Sequence, residues 1–238
     1  MSDLSFLTRS PIAHRGLHDG NKAVFENSMA AMLAAVEHGY AIELDVQLSG
    51  DDRAMVFHDS KLGRVTANQN PVKALKASEL AEITLGGTSD VVNTLEEVLH
   101  AVNGKVSVVI EMKGDGNQAD AERLARAVAG AVEDYNGEVA VMSFEHDLLQ
   151  AFRATGSKCP LGLTALGVDD AALEKHRAAL DYGIEFVSFY VKELPNAFVS
   201  EVREIHKMPV ITWTVRTQDD VALTNQYADQ MTFEGFLP

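Results

Sequence analysis

Two carboxylates interrupt an otherwise apolar run at residues 40–46, YAIELDV. Such a run is typical of a buried strand, and side chains two positions apart in a strand point to the same face. Glu43 and Asp45 are therefore expected to lie side by side in the interior. Burying two like charges is costly unless a cation accompanies them, so the pair indicates a metal ion or a strong cationic partner.

A second apolar run, residues 54–57, follows after only seven residues and ends at His58. A parallel crossover connection needs a dozen or more residues, so the two runs are expected to form an antiparallel hairpin. With the turn centred near Asp51, the hairpin predicts that His58 lies level with Asp45. Two acids and an imidazole would then share one rim.

Polar residues also stand where two other predicted strands end. His14 and Arg15 follow the first strand, and Glu111 ends the third strand, with Lys113 shortly after it. Three carboxylates make an oxygen-rich site suited to Mg²⁺ or Ca²⁺, with Mn²⁺ also compatible, whereas zinc would need the histidines as ligands. Histidines and basic groups beside a hard cation indicate phosphoryl chemistry, in which cations neutralise phosphate oxygens and imidazoles move protons.

The same residues have simpler interpretations. Glu43 and Asp45 could be paired with Arg15 and Lys113 without any metal, because paired charges are the usual way to bury acids. Each histidine could be an ordinary hydrogen-bonded rim residue. The functional interpretation is favoured because five ionisable groups fall at three consecutive strand ends.

Three further residues also have ordinary explanations. Glu26 could face the N-terminus of a helix that Asn27 or Ser28 caps, where an acid is favourable, or it could belong to the site. Trp213 in the seventh strand is more typical of a core than of a substrate wall. The lone Cys159 excludes an intrachain disulfide and is expected to be a small buried hydrophobe.

Composition restricts the class of protein. The chain has 238 residues, 46% of them hydrophobic and 23% charged, which suits one large core. There are 20 Lys and Arg against 35 Asp and Glu, and the formal charge of −15 argues against nucleic acid or an anionic membrane as the main partner. No run approaches a membrane span, and the N-terminal residues lack the basic and apolar regions of a signal peptide. We expect a cytoplasmic protein that acts on a small molecule.

Strand-like and helix-like segments alternate along the chain. Apart from the hairpin return, eight strands are predicted, at residues 10–14, 40–46, 106–111, 139–143, 161–164, 186–188, 209–214 and 230–233. This alternation predicts an α/β fold, a closed (β/α)8 TIM barrel formed by a single domain of residues 1–238, with a small insertion at about 59–93 after the second strand's hairpin. The alternative is an open doubly wound sheet, which normally carries a Gly-rich phosphate loop after its first strand, and no such motif occurs there.

The chain also resembles a known family. The segments that carry the resemblance are HRG at 14–16, ENS at 26–28, ELD at 43–45, HD at 58–59, IEMK at 110–113 and WTV at 213–215. In this order and spacing they resemble the signature of the glycerophosphodiester phosphodiesterases, and they extend over essentially the whole chain. The resemblance implies a (β/α)8 barrel with a small insertion, and metal-dependent hydrolysis of glycerophosphodiesters to glycerol 3-phosphate and an alcohol.

The resemblance further implies one divalent metal ion, Mg²⁺ or Ca²⁺, held by three carboxylates, together with an acid–base pair of histidines and a substrate-binding group. The carboxylates are Glu43, Asp45 and Glu111. The histidines are His14 and His58, and the substrate-binding residues are Arg15, Lys113 and Trp213.

Two segments depart from the family pattern. The hairpin turn reads LSGDD at 48–52 instead of a Thr and an Asp-Gly pair, and the ending TFEGFLP at 232–238 replaces Thr-Asp-x-Pro. The second departure leaves open the far side of the pocket, where the alcohol of the substrate is bound. Two other functions remain: a metal-dependent sugar isomerase or lyase on the same barrel, and a non-catalytic metal-binding barrel, which the presence of both histidines disfavours.

Overall fold

Eight parallel strands close into a barrel in the structure, a computed structural model that describes residues 3–238. The strands are β1 (Ile12–Ala13), β2 (Ala41–Leu48), β3 (Ala54–Val56), β4 (Val108–Met112), β5 (Val139–Ser143), β6 (Leu161–Ala165), β7 (Phe186–Tyr190), β8 (Val210–Val215) and β9 (Gln230–Phe233). Strand β1 pairs in parallel with both β2 and β9, which closes the barrel. Strand β3 is not one of the eight barrel strands, because it pairs antiparallel with β2 as the return of a hairpin. The predicted (β/α)8 barrel is confirmed.

Helices occupy most of the connections between these strands. They are α1 (Phe6–Arg9), α2 (Met29–His38), α3 (Ala77–Leu80), α4 (Leu95–Val102), α5 (Gln118–Glu133), α6 (His146–Ala154), α7 (Asp170–Leu180), α8 (Ala197–Glu204) and α9 (Gln218–Tyr227). Their ends follow local chemistry: Ser28 accepts a hydrogen bond from the Ala31 N–H at the start of α2, and Thr94 and Glu97 form a capping box at the start of α4. Among residues 3–238, no helix is both long enough and apolar enough to cross a bilayer.

Helix α1 closes the end of the barrel where the strands begin. Its Phe6 and Leu7 are buried in a cluster with inward-facing residues of the strands, namely Ile12, Ala41, Val109, Ala140, Met142, Phe186 and Ile211. The sequence pattern did not predict this helix, because four residues are too few to show a helical period. With one end plugged by apolar side chains, polar groups inside the barrel are confined to the opposite end.

Residues between β3 and α4 form a layer beside the hairpin. They contain α3 and two 3₁₀ turns, Leu62–Arg64 and Val72–Ala74, rather than a strand of the barrel. Their apolar side chains pack into a cluster separate from the main core, formed by Phe25, Met55, Phe57, Leu62, Val65, Val72, Leu80, Leu85 and Val92. This layer rises over the carboxyl ends of β2 and β4, next to the polar residues described below.

Candidate active site

Three carboxylates meet inside the barrel near the carboxyl ends of two adjacent strands. Asp45 of β2 lies beside Glu111 of β4 in the parallel register, and Glu43 is two residues before Asp45 on the same face. All three are buried, with relative exposures of 1% for Glu43 and Asp45 and 6% for Glu111. One oxygen of each lies within 4.8 Å of the others. The structure thus brings together the three acids that the sequence pattern marked as metal ligands.

Two basic residues lie against these acids. Lys113 Nζ is 3.0 Å from Asp45 Oδ1 and also contacts the Glu111 carboxylate. Arg15 Nε is 3.2 Å from Asp45 Oδ2, and the Arg15 backbone N–H donates to Glu43 Oε2 over 2.9 Å. The ion pairs of the metal-free interpretation are therefore present, and the question is whether they satisfy all three acids.

The three carboxylates differ in charge state because their neighbours differ. Burial, together with the charges of Asp45 and Glu111, raises the pKa of Glu43 well above its ordinary value. Burial also raises the pKa of Glu111, to about 7, although Lys113 opposes this rise. Burial has the same direction at Asp45, but Lys113 and Arg15 outweigh it and lower the pKa of that carboxyl to about 2. Three ionised acids would exceed the charge of the two basic residues, and the raised pKa values of Glu43 and Glu111 reflect this imbalance in the absence of a further cation.

This arrangement fits a bound divalent cation. Glu43 Oε1 is buried and has no hydrogen-bond partner within residues 3–238. Three acids face two basic side chains, and one of these, Arg15, is shared with Glu26, whose Oε1 is 2.6 Å from Arg15 Nη1. A hard divalent cation prefers ligands of this kind, because the three acids offer it carboxylate oxygens only.

Two histidines flank the acids, and each is held by a carboxylate of its own. His14 follows β1, and its Nδ1 lies 2.7 Å from Glu234 Oε2. His58 follows β3, and its Nδ1 lies 2.6 Å from Asp59 Oδ1. Burial lowers the pKa of both rings below the ordinary value, opposed by the hydrogen bond to Glu234 at His14 and by the charge of Asp45 at His58, so burial favours the neutral form of each ring. A neutral ring whose Nδ1–H is bonded to a carboxylate keeps a lone pair on Nε2 that can accept a proton.

The hairpin returns His58 one residue later than predicted. Val46 pairs with Val56 in the antiparallel register, and the Phe57 N–H donates to the Asp45 carbonyl over 3.0 Å. Phe57 is therefore level with Asp45, and His58 has already left the strand. This position outside the ladder leaves the His58 carbonyl free to accept from Gln47 Nε2 over 2.7 Å, which anchors the residue at the rim.

The turn after β1 depends on a glycine. Gly16 adopts φ 77°, and a Cβ at this position would come within 2.8 Å of Ala31 in α2. Only glycine tolerates both the left-handed backbone and the close approach. The turn places His14 and Arg15 at the rim while α2 packs directly beneath, which gives a physical reason for the HRG segment.

Glu26 joins the site through ion pairs rather than by facing a helix N-terminus. Its carboxylate pairs with Arg15 and accepts two hydrogen bonds, at 2.6 and 2.7 Å, from Arg64, a residue of the layer after β3. Arg64 Nε also donates to Asp59 Oδ2 over 2.6 Å. Arg64 thereby links the carboxylate behind Arg15 to the one behind His58, a connection that no local sequence pattern indicated.

Asn27 supports Asp45 directly. Its Nδ2 donates to Asp45 Oδ2 over 2.8 Å, and its Oδ1 accepts from the Asp45 backbone N–H over 3.2 Å. Ser28, not Asn27, caps α2. Asn27 adopts a left-handed φ of 57°, a conformation that Asn tolerates better than most residues, so its side chain turns from the helix to the site.

Aromatic side chains cluster at the carboxyl ends of β5, β7 and β8. Trp213 is half-buried and packs edge-on against Phe144, with ring centroids 5.2 Å apart, and at the same separation against Tyr190. Trp213 Nε1 donates to the Ser188 carbonyl over 3.2 Å. Lys113 Nζ lies 5.7 Å from the Phe144 ring centroid. Trp213 therefore forms an aromatic cluster with Phe144, which follows β5, and Tyr190, which ends β7.

Comparisons with known proteins agree with this geometry. The family model described as the glycerophosphoryl diester phosphodiesterase family matches residues 14–232. YhdW of Bacillus subtilis (strain 168) is 26% identical over 218 residues, which cover 89% of this chain and 88% of that protein. The glycerophosphodiester phosphodiesterase of Caldanaerobacter subterraneus subsp. tengcongensis is 32% identical over 162 residues, which cover 64% of this chain and 65% of that protein.

Solved structures share the fold at lower identity. A phosphodiesterase of Oleispira antarctica, in complex with the product sn-glycerol-3-phosphate, has a TM-score of 0.81 and 21% identity, covering 96% of this chain and 95% of that one. A glycerophosphodiester phosphodiesterase of Thermotoga maritima has a TM-score of 0.76 and 23% identity, covering 95% of both chains. These structures establish the likeness of the barrel, and the family match covers the ends of β1, β2 and β4, which carry the acids and His14. The chain belongs to the glycerophosphoryl diester phosphodiesterase family.

Proposed function

We propose that this protein hydrolyses glycerophosphodiesters to glycerol 3-phosphate and an alcohol. The observation that carries the proposal is the buried group of Glu43, Asp45 and Glu111 beside two histidines that are each bonded to a carboxylate. Such a pocket combines a cation site, basic groups for phosphate and two proton carriers, which is what displacement at phosphorus needs. Membership of the family supports the same activity.

Glu43, Asp45 and Glu111 hold one divalent cation, Mg²⁺ or Ca²⁺, through carboxylate oxygens. When bound, the cation supplies positive charge that neutralises the non-bridging phosphate oxygens and polarises the diester. Arg15 and Lys113 bind phosphate oxygens as well, because both cationic side chains lie beside Asp45, one of the acids that hold the cation. Their charge also stabilises the extra negative charge of the transition state.

His14 and His58 move the protons. Because Nδ1 of each ring is bonded to a carboxylate, Nε2 is the nitrogen that exchanges a proton with the substrate. One imidazole deprotonates the nucleophile, either water or a neighbouring substrate hydroxyl, and the other protonates the departing alkoxide. Glu234 and Asp59 hold the rings in place and stabilise the imidazolium form of each.

The alcohol side of the substrate lies towards the layer at 59–93, which works with the barrel as one catalytic domain, residues 1–238. A cleft of about 200 Å³ separates this layer from the loop after β4, and Lys61, Pro71, Lys113 and Asp115 are among its lining residues. Trp213 forms the opposite wall of the pocket. The substrate is a small molecule, and the cytoplasmic location stays a prediction.

The test is product analysis on purified protein. A panel of glycerophosphodiesters with choline, ethanolamine and glycerol head groups is incubated with Mg²⁺, Ca²⁺ or Mn²⁺, or with excess EDTA. We expect release of glycerol 3-phosphate with one of the cations and none in EDTA. Full activity in EDTA would favour the metal-free, ion-paired site. Turnover of a sugar without release of a phosphomonoester would identify an isomerase or lyase, and metal binding without any turnover would identify a non-catalytic barrel.

A further inference from the structure

His18 carries a buried N–H that no described residue accepts. The backbone N–H of Gly20 donates to His18 Nδ1 over 3.1 Å, so Nδ1 carries no proton and the ring proton resides on Nε2. Nε2 is buried and has no hydrogen-bond partner within residues 3–238. Burying an unpaired donor costs free energy, so this donor indicates an acceptor that comes from outside the chain.

The unpaired donor lies beside two residues of the site. His14, His18 and Glu234 each place one polar atom within 4.8 Å of the others. A metal ion does not fit this group, because His18 Nε2 presents a proton rather than a lone pair, and Glu234 Oε2 already binds His14 and Arg216, at 2.7 and 2.9 Å. A hydroxyl group does fit, because it can accept from His18 and donate to the Glu234 carboxylate.

We propose that His18, together with Glu234, binds a hydroxyl of the glycerol moiety. The inference rests on the proposed function, in which Arg15 and Lys113 already serve the phosphate. Because the Glu234 carboxylate repels phosphate oxygens but can accept from a hydroxyl, the group that meets His18 and Glu234 belongs to the glycerol arm rather than to the phosphate. His18 is thus a substrate-binding residue that favours diesters with a glycerol hydroxyl.

Two substitutions test separately the effect of the His18 N–H donor and the effect of the volume of the ring. His18→Leu fills the space without an N–H, whereas His18→Gln keeps an amide N–H near the position of Nε2. For glycerophosphocholine we expect kcat/KM to fall about threefold to tenfold in His18→Leu and to recover in His18→Gln. The competitive ligand n-propyl phosphocholine, the same diester without the two glycerol hydroxyls, should bind wild type and His18→Leu equally.

Stability distinguishes binding from a structural role. Both substitutions remove Nδ1, which accepts from the Gly20 N–H, so the two variants share that loss. Relative to His18→Gln, His18→Leu should have an equal or higher Tm, because it lacks the unsatisfied buried donor. The control His100→Leu, at an exposed histidine of α4, should change neither kinetics nor Tm. The inference is overturned if His18→Leu loses glycerophosphocholine and n-propyl phosphocholine to the same extent, or if kcat/KM does not recover in His18→Gln. If wild type releases no glycerol 3-phosphate, the proposed function itself fails; if wild type is active and His18→Leu is unchanged, only the role of His18 fails.

Discussion

In the metal-free protein, the destabilising contribution of the Glu111 carboxyl should be relieved as the pH falls from about 7 to about 4.5. Burial raises the pKa of Glu111 from 4.5 to about 7, so the folded chain binds this proton more tightly than the unfolded chain does. The charged form therefore destabilises the fold above pH 7, and protonation relieves the cost as the pH falls. At 1.36 kcal/mol per pKa unit, the cost is roughly 3 kcal/mol. Asp45, whose pKa is lowered to about 2, contributes only below about pH 4, outside this window.

The perturbation that isolates this cost is Glu111→Gln. In excess EDTA at pH 8 the variant should gain stability, with roughly 3 kcal/mol as the upper limit, because Lys113 loses one partner when the charge is removed. In excess Mg²⁺ or Ca²⁺ the order should reverse, since wild type gains free energy from ligand binding and the variant lacks one ligand. Urea unfolding followed by circular dichroism, at pH 5 and pH 8 with EDTA or cation, measures all of these differences.

The matched control is Glu122→Gln, at an exposed glutamate of α5 that pairs with Arg126 at 3.9 Å, which should change stability little under any condition. The reasoning is refuted if Glu111→Gln is less stable than wild type in EDTA at pH 8 and no cation stabilises wild type. That outcome would show that Lys113 and Arg15 satisfy the three acids, and that the buried group is an ion-paired cluster rather than a cation site.

Three further predictions concern catalysis and the fold. His14→Ala and His58→Ala should each lower kcat by ~10²–10⁴ in steady-state assays while the circular dichroism spectrum stays native; near-normal turnover in both would remove them from the mechanism. Glu234→Gln removes a negative charge that favours protonated His14, so the pKa of His14 should fall. If His14 is the base, the acidic limb of a kcat/KM–pH profile should then move to lower pH. An acidic limb that does not move would make His14 the acid. Leu7→Ala should lower the free energy of unfolding by roughly 2–5 kcal/mol in urea, because Leu7 is 1% exposed in the barrel plug, and a change below about 1 kcal/mol would show that the plug is dispensable.

Local sequence patterns were sufficient for the barrel and for the meeting of its three buried carboxylates. Alternation of apolar runs and helical periods marks every barrel strand, because each βα unit is built from neighbouring residues. Asp45 and Glu111 could be placed together because the carboxyl ends of adjacent parallel strands meet at one face. The antiparallel hairpin was also predicted from the length of its loop. The predicted register of His58 was wrong by one residue, because a turn of five residues does not specify pairing to a single position.

Two ion pairs next to the site depend on contacts between segments that are distant in the chain. Glu234 is 220 residues from His14 in the chain, and the two meet only because β1 pairs with β9. Arg64 likewise reaches Glu26 across 38 residues through an irregular layer that has no periodic pattern. Sequence alone determined which residue types stand at the strand ends, because strand periodicity is local. Tertiary structure alone decided that Glu234 stands behind His14, and that the His18 N–H has no partner among the described residues, because the approach of distant segments is set by packing.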